Sequence, residues 1–540
     1  MVWGRRRRGR GLGIAAAAAL LFVGAAPAAM AGKAAPDAGT QDVRVIVMST
    51  SKKGDSKDAG DKTRKHHGDV VDNLDIADAV VADVSPDELA DLANDKDVVV
   101  VPNFPVSVAA ASDLTGSTRA PAAVFPATTG AATANTTMGL NGQGVTVAVL
   151  DTGITKLADF AGRVVGGVDL SGEGDPFKDS YGHGTFVSGL IAGNGASSQG
   201  QYVGEAPKAS LASIKVAGAS GVTDLATVIS GVQWAVKNQK ALNIGVLNIS
   251  LGAIPFPSSV LNPLDQAVEA AWNSGIVVVA SAGNLGPTNG TITSPGDDPL
   301  VVTVGAIDDQ GTASPADDTM SDFSSVGPTA VDGWFKPDLV TSGRSVVSLR
   351  APGSTVDLAN PLARVGDANF VGSGTSFSAA ITSGAAAILR QAQPGAAPDK
   401  IKGKLLGGAM PGPVGSPFVD GFGSMNVLNS TSVKATLKQT APTTATPIPS
   451  TVSLFVTGAG SAWNGSAWNG SAWNGSAWNG SSWNGSAWNG SAWNGSAWNG
   501  SAWNGSAWNS ALWDGSAWNG SSWNGSAWNG SAWNGSSWNG

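Results

Sequence analysis

Asp151, His183 and Ser376 are the residue types that nucleophilic acyl transfer needs: a carboxylate, an imidazole and a hydroxyl. Ser376 lies in Gly372-Ser373-Gly374-Thr375-Ser376-Phe377-Ser378, where a glycine-rich turn runs into a small-residue, helix-favouring stretch that continues to Leu389. That context predicts a helix N-terminus at Ser376, with free backbone N–H groups and the positive end of the helix dipole beside it. A hydroxyl in that position can attack a carbonyl, and its own N–H can hold the oxyanion that develops. Taken alone, the same serine is more simply a helix cap. A weakly acidic hydroxyl needs a base that works near neutrality, and imidazole is suited to it. The chain has three histidines, and only His183 lies in its middle; His66 and His67 sit in a charged stretch that reads as a solvated loop. An imidazole in turn needs a carboxylate to fix its tautomer, and Asp151 closes the apolar run Val145-Thr146-Val147-Ala148-Val149-Leu150.

The elements that must position these groups are legible as a pattern. From Gly144 to about Asn429, apolar strand-like runs alternate with helical segments. Strands are expected at 145–150, 209–216, 244–249, 276–280 and 300–304, and helices at 225–237 and 264–272. Such alternation predicts an α/β fold, a mostly parallel sheet between two layers of helices. In sheets of this kind reactive groups gather at the carboxyl ends of the strands, which is where Asp151 stands.

Three stretches together resemble the signature boxes of the subtilisin-like serine proteases: Leu150-Asp151-Thr152-Gly153, Gly182-His183-Gly184-Thr185 and Gly374-Thr375-Ser376. They occur in that family's order, Asp then His then Ser. The resemblance implies Asp151, His183 and Ser376 as a charge-relay triad on a three-layer subtilisin-like domain. It also implies that Asn284, which follows the apolar run 276–280, donates to the oxyanion; by pattern alone Asn284 is a turn residue. Asn248-Ile249-Ser250-Leu251-Gly252 resembles the family's edge strand that pairs with extended substrate. Substrate contact is thereby implied at Ser250, Leu251 and Gly252, and also at Ser281, Ala282 and Gly283. Phe323-Ser324-Ser325-Val326-Gly327-Pro328 and Lys336-Pro337-Asp338-Leu339-Val340 match further family signatures. There are departures. Phe186 stands where the family usually has a second histidine, Ala380 where it has proline and Ile381 where histidine is frequent. None is a triad member, so they imply altered packing and substrate preference rather than lost chemistry. The chemistry requires no cofactor. The family often binds structural calcium, but no concentrated carboxylate loop fixes a metal site, and 193–204 is a candidate loop only.

Composition limits the rest. A net charge of −8 and a pI near 4.9 give no electrostatic footprint for nucleic acid. The absence of cysteine excludes thiol catalysis, disulfides and thiolate metal sites. Residues 1–31 read as an export signal: arginines at 5–8 and 10, an apolar 12–26, and Ala29-Met30-Ala31 as a small-x-small cleavage site. A secreted, extracellular protein is expected, with the Sec and twin-arginine routes both open. Residues 42–105 look like a small α+β module with strands at 43–48, 79–84 and 98–101, a loop over 51–65 and a helix opened by Ser85-Pro86-Asp87-Glu88. This module weakly resembles the family's inhibitory propeptide, which implies the chain's own intramolecular inhibitor; a free-standing binding module is the alternative. Residues 106–137 read as a linker or processing region, 139–430 as the peptidase domain and 438–460 as a second linker. Residues 461–540 are sixteen five-residue units, mostly Ser-Ala-Trp-Asn-Gly. Low-complexity disorder is the plain reading, a narrow solenoid a second one, and exposed tryptophans would suit contact with a surface or carbohydrate. The expected function is a secreted serine endopeptidase for protein or peptide substrates, made as a precursor. The alternative is a surface-adhesive or structural protein built on an inactive protease scaffold.

Overall fold

The computed structural model describes residues 42–51, 54–108, 123–253, 255 and 258–439, plus the backbone of 455–457 and of short fragments between 494 and 533. The expected export segment, most of the 438–460 linker and the readings of the 461–540 repeat lie outside the described residues.

The N-terminal part forms a four-stranded antiparallel sheet from Val43–Ser49, Asp69–Leu74, Ala79–Val84 and Val98–Pro102, with Val43–Ser49 inside it between the third and fourth. Alternation along these strands serves two cores. Val45, Val47, Val80, Ala82 and Val84 pack with Ala59 and Leu92 under the unit's own helices. Ile46, Met48, Leu74, Val81 and Val101 point the other way and join the large core of the rest of the chain. The helix Pro86–Ala93 opens with a capping box, Ser85 Oγ accepting from Glu88 N and Glu88 Oε2 accepting from Ser85 N at 2.7 Å. The loop expected over 51–65 is in fact mostly a helix, Ser56–Lys65, capped by Asp55. Its charges form the solvent face, and its buried face is only Ala59, Gly60 and Thr63, too small a stripe to show as apolar periodicity.

The region read as a linker also contains structure. Pro105–Val108 is a strand, and Phe125–Thr128 and Ala131–Met138 are helical. Phe125, Ala131 and Ala134 are buried, and Thr129 O accepts from Val427 N at 2.8 Å, so this Ala/Thr-rich segment packs through one phenylalanine and small side chains. Gly139, at φ +67°, ends the second helix in the left-handed conformation that glycine adopts without strain.

The main sheet runs, in spatial order, Thr319–Met320, Val302–Asp308, Val277–Ser281, Ile244–Ile249, Thr146–Asp151, Ser210–Lys215 and Val164–Asp169. Leu339–Ser342 pairs in parallel with Val302–Asp308, and all other neighbours are parallel except Thr319–Met320. The expected strands are present with ends shifted by up to a few residues; Val164–Asp169, interrupted by Gly166 and Gly167, gave no recognisable strand pattern. Leu225–Leu242 packs with Pro263–Asn273, and His183–Ala192 packs with Thr375–Ala392, which also touches the strands at the middle of the sheet. Residues 375–389 of the helix Thr375–Ala392 are all buried. A helix buried all round needs no amphipathic pattern, and its small residues permit close approach: a Cβ on Gly384 would lie 2.6 Å from Glu205 Cβ.

Candidate active site

Asp151 ends its strand, 1% exposed, in the middle of the parallel sheet. The next turn carries Thr152, whose N–H donates to Asp151 Oδ1 at 2.8 Å, and Gly153 at φ +111°. His183 opens its helix and places Nδ1 2.8 Å from Asp151 Oδ1 and 2.9 Å from Oδ2. The acceptor pair fixes that nitrogen as the donor, so in the neutral ring Nε2 is the lone-pair nitrogen. Nε2 is buried and has no hydrogen-bond partner among the described residues. The close approach of strand end and helix depends on Gly184, where a Cβ would stand 2.2 Å from Gly153 O.

Ser376 is fully buried in the first turn of its helix. Its Oγ donates to Ser250 O at 3.1 Å, while Ser250 Oγ donates to Ser376 O at 3.0 Å. Asn248 Nδ2 supports Ser250 Oγ at 2.8 Å, and Ser383 Oγ donates to Asn248 Oδ1 at 2.9 Å. The strand Ile244–Ile249 is thus tied to the serine helix by buried polar groups on both. Asn284 Oδ1 accepts from Thr375 N at 2.9 Å and Thr375 Oγ1 at 3.0 Å. A backbone N–H can only donate, so the amide orientation is forced: Oδ1 takes the acceptor side and Nδ2 is the donor.

The other expected substrate contacts divide into two kinds. Leu251 and Gly252 pair antiparallel with Val108 and Ser107, so this edge already carries an extended segment of the chain itself. Val222–Asp224 flanks the same segment on its other side, making Pro105–Val108 the middle of three strands. Ala282 and Gly283 use their backbone elsewhere: Ala282 N donates to Val304 O, Gly283 N to Thr375 Oγ1, and Gly283 O accepts from Ser325 N. With Ser281, whose Oγ is buried without a partner among the described residues, they form a wall near Asn284 rather than an open strand edge.

Asp179 is a site residue that the sequence reading passed over. It is buried, its Oδ1 accepts from Gly182 N and Thr152 Oγ1 at 2.7 and 2.8 Å, and its Oδ2 accepts from Thr185 N at 2.7 Å. Thr152 Oγ1 in turn accepts from Gly184 N at 2.9 Å. The helix starting at His183 has no side-chain cap of its own at Gly182, and these two side chains satisfy its first N–H groups from outside. Burial pushes the Asp179 carboxyl up, opposed by those hydrogen bonds. An aspartate four residues before His183, followed by a glycine at the helix start, is the only sequence signal for it. The loop ahead of it is pinned by buried Lys215, beside Asp151 in the sheet register, which donates to Glu173 Oε2 at 2.7 Å and to Lys178 O. That bond pulls the Glu173 carboxyl down to about 2. Among the described residues no group of three or more His, Asp or Glu side chains is arranged to hold a metal ion, and no helix is long and apolar enough to cross a membrane.

A carboxylate–imidazole pair at a strand end, with a serine at the N-terminus of the neighbouring helix, is the kind of arrangement that serine-type peptidases on an α/β sheet use. The description "Subtilase family" (peptidase S8) matches residues 142–459. Serine protease AprX of Bacillus subtilis is 43% identical over 296 residues, which is 54% of this chain and 67% of that protein. Subtilisin Savinase of Lederbergia lenta is 34% identical over 288 residues, 53% of this chain and 91% of that protein. The solved structure of fervidolysin from Fervidobacterium pennivorans, a keratinolytic enzyme related to subtilisin, superposes with a TM-score of 0.55 at 22% identity, over 74% of this chain and 62% of that one; it speaks to the fold. The chain belongs to the subtilase family and is a serine-type endopeptidase of the subtilisin-like α/β fold.

Proposed function

We propose that the chain is a secreted subtilisin-like endopeptidase, made as a precursor, in which Asp151, His183 and Ser376 form the catalytic triad. The observation that supports this reading is the 2.8 Å bond from His183 Nδ1 to Asp151, which leaves Nε2 as the lone-pair nitrogen of a ring that lies 5.6 Å from the ring of Phe377, the residue after Ser376. On substrate binding the Ser376 hydroxyl turns from the Ser250 carbonyl to Nε2; such bonds are commonly loose before substrate arrives. Nε2 takes the proton as Oγ attacks the scissile carbonyl. Ser376 N–H and Asn284 Nδ2 hold the oxyanion, and the imidazolium protonates the leaving amine. Water then releases the acyl group by the same steps. Asp151 holds the imidazole tautomer and its charged form throughout.

Protein or peptide substrate lies extended on Ser250, Leu251 and Gly252, against the wall of Ser281, Ala282 and Gly283, in the lane that Pro105–Val108 fills here. Residues 42–108 therefore act as the chain's own inhibitor until they are cut away. Their contacts beyond the strand support this role: Ile76 N donates to Gln233 Oε1 at 3.1 Å and Ala226 N to Asn103 Oδ1 at 2.9 Å. Secretion rests on the basic, apolar and small-residue order of 1–31. The tryptophan array at 461–540 is a contact region for a surface or carbohydrate and takes no part in the chemistry.

The test is peptide hydrolysis by the purified protein beside Ser376→Ala, with labelling by an active-site serine reagent. The substitution should cost about 10⁴-fold or more in kcat and abolish labelling. Equal rates, or a wild type that neither labels nor cleaves, would support an inactive scaffold with a structural role.

A further inference from the structure

Three separate parts of the structure meet on the Glu173 carboxylate. Oε1 accepts from Ala219 N at 2.8 Å, and Oε2 accepts from Lys215 Nζ at 2.7 Å and from Ser180 Oγ at 2.5 Å. We propose that Glu173 is a positioning residue for extended substrate: it fixes the turn 218–221 against the main sheet and so sets where the outer side of the lane stands. The inference rests on the lane reading above and adds to it a residue that acts through the turn.

One side of the carboxylate is tied to the sheet. Lys215 ends the strand Ser210–Lys215 with its side chain fully buried, in register with Asp151 on one neighbouring strand and Asp169 on the other. A buried ammonium is costly without a counter-charge, so the pair holds Glu173 to the strand beside the one that carries Asp151. The other side of the carboxylate holds the turn. A Cβ on Gly218 would stand 2.5 Å from Glu173 Oε1, so only glycine lets the turn sit this close. Gly221, at φ +69°, closes the turn with its N–H on Gly218 O at 3.0 Å. Gly221 O then accepts from Val108 N at 3.0 Å, and Val222–Asp224 continues the same edge along Pro105–Ser107. Ser107 lies opposite Gly252 and Val108 opposite Leu251, so the segment heads toward Ser250, whose carbonyl holds the Ser376 hydroxyl. The bond from Gly221 O is thus made to the lane residue nearest that end.

The chemistry of the contacts says what a substitution does. Both oxygens face donors only: a backbone N–H on one, an ammonium and a hydroxyl on the other. Glu173→Gln keeps the size but offers one oxygen where two are needed. That oxygen stays with the ammonium, where the charge-assisted bond is the stronger, and the amide N–H₂ is aimed at Ala219 N. Donor against donor pushes the turn away and moves Gly221 O with it. A second tie on the same turn is Thr355 Oγ1, which donates to Ala219 O at 2.8 Å. Thr355→Val removes that bond and leaves the carboxylate untouched.

Steady-state kinetics of enzyme matured from the full chain test this with two substrates. One is a blocked tetrapeptide anilide, long enough to lie along 221–224. The other is an ester with a single residue on its acyl side, too short to pair there. KM for the anilide should rise about three- to tenfold in Glu173→Gln, the scale of one lost lane bond, and less in Thr355→Val, with kcat unchanged in both. Both constants for the ester should stay at the wild-type value. An equal loss of kcat on the two substrates would mean that Glu173 acts through His183, and an unchanged KM for the anilide in both variants would mean that the turn holds without these ties. Either result overturns the inference while the triad reading stands. No hydrolysis of either substrate by the wild type overturns both. If Glu173→Gln does not fold, the anilide KM of Thr355→Val decides.

Discussion

At the scale of single residues, two groups carry separable duties. Asn284 accepts with Oδ1 from the first N–H and the hydroxyl of Thr375 and, in the proposed chemistry, donates with Nδ2 to the oxyanion. Asn284→Asp keeps the acceptor and removes the donor. It should therefore retain Tm and KM while kcat falls about 10²–10³-fold or more. A fall in Tm with unchanged kcat would mean that the residue only caps the helix. Asp179 accepts from two backbone N–H groups and the Thr152 hydroxyl. Asp179→Asn keeps its size, but one arm becomes a donor aimed at a donor. A loss of about 2–3 kcal/mol in stability is expected, with reduced kcat and unchanged KM, since the residue positions His183 without touching substrate. Urea unfolding and steady-state kinetics read both.

At the scale of elements, the sheet is joined to the helices by buried charge. Lys336 and Lys402 share Asp338, at 2.8 and 3.0 Å, and both donate to Val301 O. Near them, burial raises the Asp297 carboxyl to about 7 and the Asp298 carboxyl to about 6. A carboxyl whose folded value is raised stabilises the fold fully below its ordinary value near 4, and that stability is lost as pH rises through the folded value. The window for Asp297 is thus from about 4 to about 7. Asp297→Asn removes this loss, so the variant's stability relative to wild type should rise from pH 4 to 7 and level off above. Unfolding midpoints in urea at pH 5 and pH 8 check the sign; a difference that shrinks with rising pH would refute it.

At the scale of the whole molecule, the N-terminal unit and the peptidase share one apolar core, and the chain that joins them fills the groove edge. A separately made 42–108 fragment should inhibit the matured enzyme competitively, and Gln233→Ala should weaken that inhibition about tenfold at most through loss of the Ile76 contact. Non-competitive inhibition, or none, would count against a groove-filling role.

Much of this was legible from local chemistry. The aspartate at a strand end, the imidazole after a glycine turn, the serine at the start of a helix and the capping box at Ser85 are each written in a few neighbouring residues, because turns, caps and strand alternation are short-range. Other features were hidden in small or charged residues. The helices Ser56–Lys65 and Ala131–Met138 bury alanine, glycine and threonine faces that carry no apolar stripe. The remaining features belong to tertiary structure alone. Asp179 gains its role only when the 152 turn and the 183 helix meet around it, and Pro105–Val108 becomes a central strand only between edges more than a hundred residues further on. Sequence by itself determined which groups could react and which elements would hold them. Which side chains stand within bonding distance depends on hydrogen bonds and packing between distant segments, and only the assembled sheet and its helices decide those.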